Sequence, residues 1–281
     1  MTRSKSRRKN WETAVVFLVT AVIALMFFLP VYWMIISSLK DKSAIFHYPP
    51  ELFVRTVNFA NYVEMLDYMP FMTYANNTLI VAAASTIGTL LSSPMIAYAF
   101  AKMRWKGRNV VFVLVLSTMM LPFQVIMVPQ YILFRDFGWL GTLLPLIVPN
   151  FFGNAMYIFL LRQFMSGIPS ELTESARIDG CGHFRILLQI ILPLTKPALF
   201  SVALFMFLAN WTDFTGPLIF INKQSQMTLS VGIITGMTSG HRTEWGYLMA
   251  ACTLFTLPVL ALFFFAQRQF VEGITFSGLK G

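Results

Sequence analysis

Five stretches of this chain run for more than twenty residues without a charged side chain: Thr13–Leu39, Tyr68–Ala101, Asn109–Phe134, 137–161 and Trp245–Gln267. A sixth, Pro197–Ile221, holds one charge, Asp213. About 20 apolar residues in a helix cross the roughly 30 Å of hydrocarbon in a bilayer, so each run is long enough to span it. A water-soluble surface is excluded by composition. Charged residues make up 12% of the 281 residues and hydrophobic ones 57%, with a mean hydropathy of +0.67. Soluble domains carry about 25% charged residues.

In hydrocarbon every backbone polar group needs a partner within the segment or a closed barrel. The runs lack the alternating pattern of barrel strands. The expected fold is therefore all-α: one polytopic membrane domain over residues 1–281 with six transmembrane helices near 14–36, 74–100, 109–130, 143–161, 197–221 and 246–266. Pro30, Pro122, Pro129, Pro217 and Pro258 fall inside or at the ends of these helices, where kinks are expected.

Lysine and arginine set the orientation, because cytoplasmic loops are enriched in them. With the N-terminus inside, fifteen of the 21 basic residues fall on that side: the cluster at 3–9, Lys102 to Arg108, Arg162 to Lys196, Arg268 and Lys280. Six fall on the other side. Both termini and the 162–196 segment are thus expected in the cytoplasm, and the net charge of +9 follows from this asymmetry. No aromatic or recognition pattern accompanies the basic N-terminus, so nucleic-acid binding is not expected. The first helix exceeds a signal-peptide core and no A-x-A site follows, so it reads as an uncleaved anchor. Cys181 and Cys252 fall in a cytoplasmic loop and a span, which argues against a disulfide. The histidines at 47, 183 and 241 are scattered and suggest no metal site.

The 35 residues from Arg162 to Lys196 are unusual for a connection between spans. Ser170 is placed to cap a helix, with Glu171 complementing its positive end. That helix runs to about Asp179, and Gly180 stops it. Glu174 and Arg177 are three apart and positioned to pair. Ala176 is small and leaves room for a partner surface. Phe184, Leu187, Leu188 and Ile191 form an i, i+3, i+4, i+7 stripe, predicting a second amphipathic helix that Pro193 ends. From the residues alone, docking to a soluble partner and an interfacial helix pair on the headgroups are both open.

Glu174-Ser175-Ala176, Asp179-Gly180, Ile191-Leu192-Pro193 and Pro197 resemble the EAA loop of binding-protein-dependent ABC transporter permeases. Ser175 stands where that pattern has Ala. Asn76-Asn77-Thr78-Leu79, Ala97-Tyr98-Ala99-Phe100-Ala101 and Trp211-Thr212-Asp213-Phe214 with Pro217-Leu218 resemble the carbohydrate-uptake branch, with Thr212 where Asn is common. The tail from Gln267 to Gly281 is similar to that of the smaller, maltose-type permease subunit.

The resemblance implies a permease subunit of an ATP-driven importer in a bacterial or archaeal cytoplasmic membrane. Its partners would be two ATP-binding subunits, a second permease subunit, an extracytoplasmic binding protein that is soluble or lipid-anchored, and a sugar substrate. Glu174, Ser175, Ala176, Asp179, Gly180 and Pro193 would couple to the ATPase, with Glu174 pairing a basic residue there and Gly180 acting as a pivot. Gly278, Lys280 and Gly281 would contact the ATPase from the tail. No G-x-x-x-x-G-K-[S/T] loop occurs, so no cofactor is expected on this chain and ATP with its Mg would sit on the partners. Asp213 is the one acidic residue in an expected span, and such residues face cavities or partners. Asn210, Trp211 and Asp213 are therefore candidates to border the outer pathway. Ala84, Gly88 and Ser92 give one small face for close helix packing. Segments 37–73 and 222–245 are the sizeable outer loops, with Trp33 and Trp245 as interfacial anchors. An ion-gradient transporter is the alternative, but the midplane coupling groups and repeated halves of that class are missing. Nor does any H-E-x-x-H or G-x-S-x-G motif point to a membrane enzyme.

Overall fold

A computed structural model describes residues 2–54, 56–238 and 243–278, with side chains described for 11–54, 56–236 and 243–267. The described residues form helices α1 (Thr2–Ser38), α2 (Ala60–Tyr68), α3 (Phe71–Lys102), α4 (Arg108–Ser117), α5 (Phe123–Asp136), α6 (Leu144–Ile147), α7 (Ala155–Ser166), α8 (Ser170–Ile178), α9 (His183–Ile186), α10 (Leu192–Leu194), α11 (Lys196–Thr212), α12 (Thr215–Phe220), α13 (Leu229–Thr238) and α14 (Trp245–Gly278). No strand occurs among them.

Among the described residues, four helices are long and apolar enough to cross a membrane: Trp11–Ser38, Phe71–Lys102, Leu144–Ser166 and Trp245–Gln267. Two bent pairs raise this to six if each is one span: Arg108–Met120 with Phe123–Asp136, bent by 97°, and His183–Leu194 with Lys196–Thr212, bent by 81°. The helix expected at 109–130 is therefore broken. Its apolar run is uninterrupted, but the backbone turns extended at Leu121 and Pro122. Pro122 disfavours a helical conformation at the residue before it, which ends the first segment. The helix expected at 143–161 includes a 3₁₀ turn, Val148–Phe152, and a break at Gly153. The one expected at 197–221 stops at Thr212, and α12 follows separately.

Contacts cluster the chain into two units. The first is Met1–Pro70 with Thr235–Leu257. There the buried Asn61 donates to the carbonyls of Ser38 (2.9 Å) and Lys40 (2.8 Å). Lys42 Nζ donates to the Tyr247 hydroxyl at 2.9 Å and pairs with Glu244 at 3.3 Å. The Tyr247 hydroxyl donates to Glu64. Its hydrogen bond to Lys42 holds that ammonium above the usual lysine range, with Glu244 adding to the effect and partial desolvation opposing it. Trp33 lies under the Lys40 ammonium at 4.6 Å, and Trp245 meets Phe46 edge-on at 5.7 Å.

The second unit is Phe71–Ile234 with Pro258–Gly281. It is organised on α3. Gly88 takes the Phe151 ring so closely that a Cβ would lie 2.5 Å from it. Ser85 donates to Leu146 O at 3.1 Å, and Ser92 to Gly88 O at 2.8 Å. The small face of α3 thus packs against residues 146–151, as its spacing predicts. At the other end Asn77 Nδ2 donates to the carbonyls of Ser225 (2.9 Å) and Met227 (3.0 Å). Thr78 Oγ1 accepts from the Leu229 amide at 2.7 Å. The Asn-Asn-Thr sequence therefore clamps the segment leading into α13, satisfying carbonyls that a loop would otherwise leave unpaired.

Candidate coupling element

The 162–196 segment is packed into the second unit. Ala176 of α8 is 6% exposed and shares one buried cluster with Ala97 and Tyr98 of α3, Leu161 and Met165 of α7, and Val202 and Met206 of α11. Ile186, Leu187 and Ile191 also belong to that cluster. Ala176 therefore does not open to a partner, as its size suggested. It seats α8 on the chain's own helices, because a small side chain lets backbones approach. Thr173, one turn earlier, is buried on the same face.

The opposite face is free. Leu172, Glu174, Ser175, Arg177 and Ile178 are exposed, Ile178 by 88%. Glu174 and Ile178 are four residues apart and lie on one helix face. An almost fully exposed isoleucine beside a carboxylate is a surface suited to a groove with apolar walls and a basic rim. The sequence reading passed over Ile178; its i+4 spacing from Glu174 was the available signal.

The local hydrogen bonds explain how α8 is held. Its N-cap is Pro169, in extended conformation, and Ser170 is the first helical residue. Ser170 therefore does not cap through its side chain, since its backbone has already turned helical; its carbonyl accepts from Thr173 Oγ1 at 2.7 Å instead. At the other end Gly180 adopts φ +81°, with Gly180 N donating to Arg177 O and Cys181 N to Ala176 O. This is a Schellman closure, and the left-handed residue favours glycine. Gly180 is thus a fixed turn in this conformation.

Glu174 and Arg177 form no ion pair here. Arg177 turns to His183, with its Nη2 3.2 Å from Nε2. The same guanidinium nitrogen is 3.4 Å from Nδ1, which in turn lies 3.1 Å from the Tyr98 hydroxyl. These contacts link α8 to α3 through His183. Glu171 and Glu174 instead line a cavity of about 710 Å³ with Lys102, Arg104, Arg108 and Arg177. Nearby, Lys102 Nζ donates to Ile168 O at 2.5 Å. Arg162 lies over the Phe112 ring at 4.0 Å, a cation–π contact.

The second helix of the segment departs from the expected stripe. Leu187 and Ile191 are buried, but Phe184 and Leu188 are exposed, and Ile186 is buried in their place. Residues 187–191 form a π-turn, which widens the repeat and shifts the inward face. Pro193 accounts for it: its ring clashes with the carbonyl four residues back and it has no N–H to donate. Pro193 stands inside the helical run, which ends at Leu194 rather than at the proline itself. Beyond Thr195 the chain bends into α11.

The pathway candidates at the end of α11 are internally engaged. Asn210 Nδ2 donates to Met206 O at 2.8 Å. Trp211 is 5% exposed and stacks on Phe207 at 5.6 Å. Asp213 Oδ1 accepts from the Gly216 amide at 3.2 Å, and its carbonyl accepts from Ser230 Oγ at 2.5 Å. Its carboxylate thus closes the break between α11 and α12. Gly278 is the last residue of α14, and Lys280 and Gly281 lie outside the described residues.

Residues 93–275, which include this whole element, match the family described as binding-protein-dependent transport system inner membrane component. The chain belongs to this family. Similar proteins include the arabinooligosaccharides transport system permease protein AraQ of Bacillus subtilis, 32% identical over 92% of this chain and 93% of that protein. The diacetylchitobiose uptake system permease protein DasC of Streptomyces coelicolor is 33% identical over 94% and 96%. The trehalose/maltose transport system permease protein MalG of Thermococcus litoralis is 31% identical over 92% and 94%. Among solved structures, a bacterial ABC transporter involved in the import of the acidic polysaccharide alginate has a chain that superposes with a TM-score of 0.81 at 22% identity, covering 90% of this permease and 94% of that chain, and so shares its fold. As an inner membrane component of such a transport system, this permease is a multi-pass membrane protein acting with ATPase, permease and binding-protein partners. That placement sets the ion-gradient alternative aside.

Proposed function

We propose that this chain is one of two permease subunits of an ATP-driven sugar importer, with six spans and both termini in the cytoplasm of a bacterial or archaeal cell. The observation that carries the reading is the two-sided build of α8. Its inner face packs on α3, α7 and α11, while its outer face offers Glu174, Ser175 and Ile178. A displacement imposed on the outer face passes through that packed cluster to the membrane helices. Coupling of this kind needs an element whose state both sites bias.

In this reading an ATPase subunit receives α8 in a groove, with Glu174 meeting a basic residue there. Ala176, Asp179, Gly180 and Pro193 hold the shape of the element. The tail at Gly278, Lys280 and Gly281 reaches the ATPase pair: the 34 residues of α14 span about 51 Å, well beyond the hydrocarbon. A second, different permease subunit completes the pathway, whose outer border lies at the α11–α12 break with Asn210, Trp211 and Asp213. A soluble or lipid-anchored binding protein delivers sugar to segments 37–73 and 222–245. Three similar permeases are named for oligosaccharide or disaccharide uptake, which supports a sugar as substrate. ATP and Mg belong to the partner ATPases.

The test is reconstitution of this chain with its second permease and ATPase subunits in vesicles, with the binding protein supplied outside. Sugar uptake that requires internal ATP and survives collapse of ion gradients is expected. Uptake that follows a proton or sodium gradient without ATP overturns the reading.

A further inference from the structure

Beside the coupling element is a second cavity that this role leaves unused. It has a volume of about 420 Å³ and lies at the turn between α3 and α4, lined by Arg104, Trp105, Arg108, Asn109 and Val110 around Gly107. Gly107 holds φ +84°, so the chain reverses within this turn and brings Arg104 and Arg108 to one opening. Arg108 is anchored by Nη1 donating to Met103 O at 3.1 Å. Arg104 is exposed. Four basic residues occur between Lys102 and Arg108, and no acidic residue occurs from Lys102 to Arg135. Arg104 and Arg108 also border the neighbouring cavity that Glu171 and Glu174 line, but no carboxylate lines this one.

The wall that continues from this opening is apolar. Val110, Val113 and Leu114 of α4 are each more than half exposed. Trp105, with an exposed amphipathic ring, stands at the boundary, as tryptophans do at headgroup level. A cationic cavity that opens onto an apolar helix surface at the end of a span has the two-part chemistry of a phospholipid: phosphate above, acyl chain below. A free phosphate would use only the first part. An acidic protein segment would not need the valine wall.

We propose that this cavity binds the headgroup of an anionic phospholipid, with the guanidinium groups of Arg104 and Arg108 on the phosphate, Trp105 at the glycerol level and the exposed face of α4 against an acyl chain. Basic pockets at the ends of membrane helices recognise anionic headgroups by charge, and guanidinium groups bind phosphate oxygens in a bidentate fork. The site rests on the chain's membrane character and on this cavity alone, not on the coupling role of α8.

The assembled transporter in detergent, titrated with palmitoyl-oleoyl phosphatidylglycerol or the matching phosphatidylcholine and read by native mass spectrometry, tests this. The wild type is expected to retain phosphatidylglycerol in preference. Arg104→Gln should weaken that preference about fivefold, and the Arg104→Gln/Arg108→Gln pair about thirtyfold, from the usual contribution of one basic residue near a charged surface. Inorganic phosphate on the order of 10 mM should not displace the lipid, since it cannot use the apolar wall. Should the double variant fail to assemble, the Arg104→Gln variant decides, because that side chain is exposed. Unchanged preference in Arg104→Gln, or displacement of the lipid by phosphate, would each overturn the proposal.

Discussion

Ile178→Ser separates docking from folding. Ile178 is 88% exposed, so it contributes almost nothing to the packing of its own chain. Fully burying an isoleucine side chain contributes about 1.5–3 kcal/mol. If the ATPase groove covers it, replacing it with serine removes roughly 2 kcal/mol of that term. At 1.4 kcal/mol per tenfold, the ATPase should bind about 30-fold more weakly. Serine and isoleucine have similar helix propensities, and surface substitutions away from special features fall within about 0.5 kcal/mol. The isolated permease pair should therefore keep its melting temperature. The assay is a titration of the ATPase subunits onto the permease pair in lipid nanodiscs, with a melting curve of the pair alone. A change in Kd below threefold, or a clear drop in the melting temperature of the pair, would refute the two-sided account of α8.

Glu174→Lys should leave the protein inserted and assembled but uncouple ATP hydrolysis from uptake, because it reverses the charge offered beside Ile178; uptake at the wild-type rate in vesicles would count against it. Gly180→Ala meets no neighbour within 4 Å, so its cost is the left-handed backbone, about 1–2 kcal/mol. Hydrogen exchange at the Cys181 amide, bonded to Ala176 O, should then quicken by about fivefold or more, while Gly180→Asn should do so less. Gly88→Ala places a Cβ 2.5 Å from the Phe151 ring and should destabilise by about 1–3 kcal/mol, read as a lower melting temperature, and trimming Phe151 to Leu should recover most of it.

The all-helical, apolar build and the small face of α3 were legible because both rest on local rules: charge-free length, and small residues four apart. What was not legible depends on tertiary geometry. The run from Asn109 to Phe134 is apolar on both sides of Pro122, so hydropathy could not separate a kink from a 97° break. Ala176 belongs to a motif, but whether its small size served a partner or the chain's own core was decided by α3, α7 and α11, which are distant in sequence. The stripe at 184–191 assumed 3.6 residues per turn, and the π-turn before Pro193 changed which side chains point inward. Asp213 carried the signal of a buried functional charge, yet its carboxylate caps a helix break that the sequence did not reveal. His183 had no sequence signal, since its partners Tyr98 and Arg177 come from two different elements.

The measurement closest to the central claim is labelling of a single cysteine on the outer face of α8. Ser175→Cys, in a chain whose Cys181 and Cys252 are replaced by serine, would be treated with a membrane-impermeant maleimide in inverted vesicles stripped of ATPase, and again after the ATPase subunits are restored. The account predicts rapid labelling in the stripped vesicles and strong protection when the ATPase returns. Labelling only from the outside of intact cells, or equal labelling with and without the ATPase, would contradict it.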